Sequence, residues 1–123
     1  MAKGPTERRP PLVYLKDIIA EIEFLKRTTQ DLSFEEYLRA GEKRRAVERS
    51  LEIISEASRG IPESDQLTHP QIPWRRIRDL GNALRHAYFG VMHERIWALV
   101  KNEPDLFEQV IRAIQTRYEP DSE

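Results

Sequence analysis

The residues able to do chemistry gather in one run, Arg75-Arg76-Ile77-Arg78-Asp79-Leu80-Gly81-Asn82-Ala83-Leu84-Arg85-His86. An imidazole exchanges protons near neutral pH. Guanidinium and amide groups beside it hold a phosphate, or offset the charge of a pentavalent phosphoryl transition state. These groups suit cleavage of RNA by its own 2′-hydroxyl: a base takes the 2′-OH proton, cations hold the phosphate, and the step calls for no cofactor and no metal. At 100° per residue, Arg78, Asn82, Arg85 and His86 share an arc of about 100°. Arg75, Arg76, Arg78, Arg85 and Arg95 oppose only Asp79 and Glu94, in a chain whose net charge is −1. Such a local excess points to an anion site. Pattern alone also allows a plainer reading, a histidine hydrogen-bonded inside a helical bundle.

Other chemistries find less support. The histidines are His69, His86 and His93, and no two stand at helical i, i+4 spacing. Gly90 separates His86 from His93, so one continuous helix would not present both. Without cysteine there is no thiolate ligand and no disulfide. Neither a glycine-rich phosphate loop nor a Gly-x-Ser-x-Gly elbow is present.

The element that must carry the run is a helix over 73–90, opened by Pro73 and closed by Gly90. Its expected core face is Ile77, Leu80, Leu84 and Tyr88, within about 80°. Tyr88 and His86 then point about 160° apart. Before it, 11–29 reads as a helix, with Leu12, Leu15, Ile18, Ile19, Ile22 and Leu25 at spacings of three and four. Ser33 and Glu36 form a capping box for a second helix over about 34–58. Its apolar line is Phe34, Tyr37, Leu38, Val47, Leu51, Ile54 and Ala57, and its small residues Ala40, Gly41 and Ala46 would admit a close neighbour. On the same helix Arg45, Glu48, Glu52, Ser55 and Glu56 form a row that either faces solvent or braces the basic site. Gly60 ends that helix, and 61–72 reads as a long loop, a candidate for a functional role. A short helix over 91–100 and a last one over 105–118 complete the chain.

With no strand in this reading, the fold class is all-α, an up-and-down bundle of four main helices plus one short helix. Residues 1–10 read as a flexible N-terminal tail, 11–118 as the domain and 119–123 as a C-terminal tail. No apolar run approaches a membrane span and no secretory signal opens the chain, which places it in the cytoplasm. The near-zero net charge argues against broad coating of nucleic acid, though not against a local basic groove.

Two separated runs, Arg45-Ala46-Val47-Glu48-Arg49-Ser50-Leu51-Glu52-Ile53-Ile54-Ser55-Glu56-Ala57 and Ile72-Pro73-Trp74-Arg75 through Gly81-Asn82-Ala83-Leu84-Arg85-His86-Ala87-Tyr88-Phe89-Gly90-Val91 with Ile96-Trp97, resemble the HepT-like proteins of the HEPN superfamily. The likeness covers roughly 12–118, nearly the whole domain. It implies a helical homodimer with the active residues of both subunits near the interface. It implies a metal-independent ribonuclease toxin whose partner is a minimal nucleotidyltransferase antitoxin that adds AMP to a tyrosine. In that pattern four to six residues separate an arginine from a histidine, and one residue separates the histidine from a tyrosine. His86 would be the catalytic histidine and Tyr88 the AMP acceptor. The arginine positions of the pattern hold Gly81, Leu80 and Asp79, so Arg85 or Arg78 must supply the cation, with Asn82 beside them. The alternative is a weak or inactive subunit that binds a nucleotide or partner within a nucleotidyltransferase complex.

Overall fold

The structure is a computed structural model that describes residues 9–86, 93–102 and 104–120. Among these, every regular element is a helix: α1 Pro11–Thr29, α2 Phe34–Arg39, α3 Gly41–Ser58, α4 Glu63–Thr68, α5 Trp74–Arg85, α6 His93–Asn102 and α7 Pro104–Tyr118. The all-α bundle is present.

α1 is the central helix, packed on α3 along one side and α7 along another. Its Leu15, Ile18, Ile19, Ile22 and Leu25 are buried, each contributing about 1.5–3 kcal/mol by leaving water. Val47, Leu51 and Ile54 of α3 meet them, as do Val110, Ile111 and Ile114 of α7. No described helix is long and apolar enough to cross a membrane.

The expected helix over 34–58 is two helices. Ala40 leaves the helical region (φ −90°, ψ 77°), while its N–H still reaches the carbonyls of Glu36 and Tyr37. The break lets α2 aim Tyr37 into the core, 5.0 Å from the Trp97 ring and edge-on to His93. Burial first, and then the charge of Glu48, push the Tyr37 hydroxyl up to about 12. The expected capping box is there: Ser33 Oγ accepts from the Glu36 N–H at 3.1 Å, and the Ser33 N–H donates to Glu36 Oε1 at 2.9 Å. Close approach does not occur at Gly41, where an added Cβ would meet nothing within 4 Å. It occurs at Gly60, where an added Cβ would run into the Tyr14 ring. Leu38 is exposed and stands off the core line.

The 61–72 loop contains α4, a helix of six residues. Asp65 on it is buried and receives bonds from Arg117 Nη1 at 2.7 Å and from the Tyr118 hydroxyl. The second bond holds the Tyr118 hydroxyl above its ordinary range. Gln66, also buried, donates Nε2 to the Ile61 carbonyl at 3.0 Å.

α5 departs from expectation in two ways. Pro73 caps it rather than opening it, and the helix stops at Arg85 with His86 as its cap (φ −108°, ψ 6°). The expected continuation to Gly90, with Tyr88, lies outside the described residues. Its buried residues are Trp74 and Gly81, whereas Ile77, Leu80 and Leu84 are half-buried. The reason is position: α5 lies at the edge of the bundle and rests mainly on α3.

Ionic contacts tie α1 to α7. Lys26 Nζ donates to Asp105 at 2.6 Å and to Glu108 at 2.7 Å, and Arg112 reaches both Glu108 and Glu23. The Lys26 hydrogen bond, chiefly, holds the Glu108 carboxyl below its ordinary 4.5. A carboxylate depressed on folding binds fewer protons folded than unfolded, so its contribution is whole above the unfolded value and is lost as pH falls through the folded one. Chemical denaturation should therefore show stability falling as the pH drops below about 4.5. Lys26→Met should flatten that acid limb; an unchanged limb would exclude this clamp as its source.

Candidate functional site

α5 is positioned by a contact two atoms wide. The Gly81 N–H donates to Ser55 Oγ at 3.1 Å, and the Ser55 hydroxyl donates to the Arg78 carbonyl at 2.9 Å. Arg59 Nη2 reaches the same carbonyl at 3.2 Å. A Cβ on Gly81 would lie 2.9 Å from Ser55 Oγ, so α3 fills the space a side chain there would need. At the start of α5, Trp74 Nε1 donates to the His69 carbonyl at 3.0 Å and the ring meets Phe107 edge-on. With both places fixed, the exposed side of the helix is fixed too.

At its far end the helix presents three of the expected residues together. His86 is exposed, and its N–H closes the helix on the Asn82 carbonyl at 3.2 Å. Arg85 Nη2 donates to Asn82 Oδ1 at 2.6 Å, which restrains the guanidinium of the residue before His86. Arg78 stands apart. It is half-buried, and its Nη1 donates to Gln66 Oε1 at 2.9 Å, toward α4. Seven residues of helix put it about 10 Å along the axis from Arg85. The expected four-residue cluster is thus three residues at one end of α5 and one near the other. Tyr88 lies outside the described residues.

The charge is divided in the same way. A groove of about 330 Å³ beside Arg85 is lined by Arg9, Arg49 and Arg85 and by Asp17, Glu52 and Glu56. Arg9 pairs with Asp17 at 3.0 Å and Arg49 with Glu52 at 3.1 Å. This groove balances its charges. The basic excess legible in the sequence sits instead around Arg75, Arg76 and Arg78. Of the α3 row, Ser55 braces the site, Glu52 and Glu56 line this groove, and Glu48 faces His93 Nδ1 at 3.8 Å.

Among the three histidines only His86 is exposed. His69 is half-buried. His93 packs edge-on to Tyr37 at 6.4 Å, with its Nδ1 buried and unbonded among the described residues. An exposed imidazole with a restrained guanidinium next to it can move a proton and hold one phosphate oxygen. The residues that sequence reasoning missed are Asp65, Gln66 and Tyr118. The readable signal was Glu63 and Asp65 directly after Pro62, acids in a first helical turn.

A family profile described as "Ribonuclease HepT-like" matches residues 18–114. A "Probable ribonuclease HepT" of Thermococcus cleftensis is 42% identical over 90 residues, 73% of this chain and 82% of that protein. A "Putative RNase" of Caldanaerobacter subterraneus subsp. tengcongensis is 37% identical over 108 residues, 87% of this chain and 96% of its own length. Another "Putative RNase", from Methanocaldococcus jannaschii, is 35% identical over 106 residues, 83% of this chain and 88% of that one. No solved structure matches.

Ser55→Ala removes both hydroxyl bonds and should lower the unfolding free energy by about 1–3 kcal/mol. Urea denaturation measures it. An unchanged midpoint would mean that α5 is held by other contacts.

Proposed function

The chain belongs to the ribonuclease HepT-like family, and within it we propose a metal-independent endoribonuclease, the toxin of a toxin–antitoxin pair. The observation that carries this reading is the exposed His86 standing directly after Arg85, at the end of the helix that the family's motif occupies. His86 takes the proton from a ribose 2′-hydroxyl. The freed oxygen attacks the adjacent phosphorus, the bond to the 5′-oxygen breaks, and a 2′,3′-cyclic phosphate remains. Arg85, held by Asn82, steadies the phosphoryl oxygens as charge builds on them. Arg78, about 10 Å along the helix axis, acts about three nucleotides further along the strand.

The leaving 5′-oxygen needs a proton, and a second copy of the chain supplies the group that gives it. Support for a homodimer comes from α5, whose Ile77 and Leu80 are only half covered by their own chain. They share an apolar groove with Leu99 and Leu106, which are 38% and 48% exposed. Tyr88 takes the role of AMP acceptor: a nucleotidyltransferase partner transfers AMP from ATP to its hydroxyl and releases pyrophosphate, which blocks the neighbouring imidazole. The chain works in the cytoplasm.

One observation favours a second reading, a weak or inactive HEPN subunit that binds a nucleotide within a nucleotidyltransferase complex: Gly81 stands where the motif has its arginine. Position 81 is close-packed, an added Cβ lying 2.9 Å from Ser55 Oγ, so in the first reading the cation comes from Arg85 or Arg78 instead.

His86→Ala should reduce RNA cleavage by about 10²–10⁴-fold and relieve growth arrest, with wild-type cleavage persisting in EDTA and leaving cyclic phosphate ends. Purified protein that leaves cellular RNA intact, but still binds nucleotide, would select the second reading. Mass spectrometry of the chain co-expressed with a minimal nucleotidyltransferase should find AMP on Tyr88. Leu99→Glu should yield monomers in analytical ultracentrifugation and abolish cleavage, while changing the monomer's own stability by less than about 1 kcal/mol. A dimer unaffected by that charge would place the interface on another face.

A further inference from the structure

The basic excess displaced from His86 gathers at the opposite end of α5. There α4 and the first turn of α5 border an open cleft of about 910 Å³, lined by Arg59, Arg75, Arg76 and Arg78. Glu63 is the acid among its lining residues, and Arg9, at its rim, is already paired with Asp17. Arg75 and Arg76 are exposed, and among the described residues neither joins an ion pair. The first turn of α5 carries no acid, so its positive end adds to the field rather than being offset.

The cleft is a built feature. Arg59 is bonded to the Arg78 carbonyl and Arg78 to Gln66. Gln66 is bonded to the Ile61 carbonyl, and its neighbour Asp65 is bonded to Arg117 and Tyr118. One wall also offers Leu67, 71% exposed. Four guanidiniums beside an apolar surface suit a strand with phosphates and bases better than an isolated anion. α5 spans 12 residues, about 18 Å, so a ligand held both here and at His86 must be a polymer with repeating phosphates. At about 3.4 Å per stacked nucleotide, that span corresponds to about five nucleotides.

We propose that the α4–α5 cleft is a phosphate-binding track for single-stranded RNA, running along α5 to His86. The proposal takes its ligand class from the ribonuclease reading. Arg59, Arg75 and Arg76 set affinity for the strand, while His86 and Arg85 do the chemistry.

The probe is a short fluorescein-labelled 2′-O-methyl RNA, which cannot be cut through its 2′-position, titrated with the full chain in anisotropy measurements between about 50 and 200 mM salt. Arg75→Ala/Arg76→Ala should weaken binding by about tenfold or more and lower the salt slope by about 1.4, the loss of two phosphate contacts to a single strand. Arg75→Lys/Arg76→Lys should restore most of both, because a phosphate contact needs charge before geometry. Arg27→Ala/Arg39→Ala, which removes the same charge from exposed positions outside the cleft, should cost far less. Equal losses in the two alanine doubles would overturn the proposal, as would stronger cleft-dependent binding of poly-glutamate than of RNA, which would assign the cleft to an acidic polypeptide. The two readings fail separately. Cleft-dependent binding without any cleavage of unmodified RNA leaves the track standing and removes the nuclease. Cleavage with binding indifferent to Arg75 and Arg76 does the reverse.

Discussion

The approach of α5 to Ser55 is the contact on which the placement of the candidate site depends. Serine is small enough to admit a helix backbone, and its hydroxyl serves two backbone groups of that helix at once. Glycine at 81 is the other half of the fit, required by proximity and not by an unusual backbone angle. The pair sets the rotation of α5 about its own axis. From that rotation follow the exposure of Asn82, Arg85 and His86, the turn of Arg78 toward Gln66, and the half-covered state of Ile77 and Leu80. It also sets what position 81 can hold: an added Cβ would lie 2.9 Å from Ser55 Oγ, so glycine suits a helix that sits this close on its neighbour.

Much of the architecture was legible because local signals and burial agree. The three- and four-residue spacing of Leu15 through Leu25 reports a helix whose one face is truly covered, and α1 is found where that pattern puts it. Ser33 and Glu36 specify their own reciprocal bonds within four residues, so no distant partner is needed to read them. What failed to show depends on distant parts of the chain. The Ala40 break exists so that Tyr37 can meet Trp97, a contact sixty positions away that no local preference encodes. α4 is too short to display a period, and its buried Asp65 gains partners only from α7. The apolar arc of α5 reads as core in the sequence because periodicity reports amphipathicity, not whether the apolar side meets its own chain or something else.

The candidate site divides in a similar manner. Residue types named the chemistry: one run holds the imidazole, the amide and the guanidiniums. Their grouping could not be read from helical angles alone, since angle ignores distance along the axis and the pull of neighbours outside the helix. Gln66 draws Arg78 one way, and Asn82 holds Arg85 another. The result is a helix with a charge-balanced end that carries the exposed imidazole and a cationic end that carries none. Such a division keeps the cationic cleft and the imidazole about one α5 length apart, each held by its own set of bonds.

The bond network on Asp65 has a consequence for how the molecule comes into being. A nascent chain emerges from its amino end, so α3, α4 and α5 leave the ribosome well before Arg117 and Tyr118 are made. Until then a carboxylate destined for the interior has no cation or hydroxyl to meet it, and burying it unpaired is costly. α4 therefore cannot settle against the bundle until the final turn of α7 arrives. A ribosome-bound fragment that stops short of Arg117 lacks this clasp, so the docking of α4 belongs to the last steps of folding.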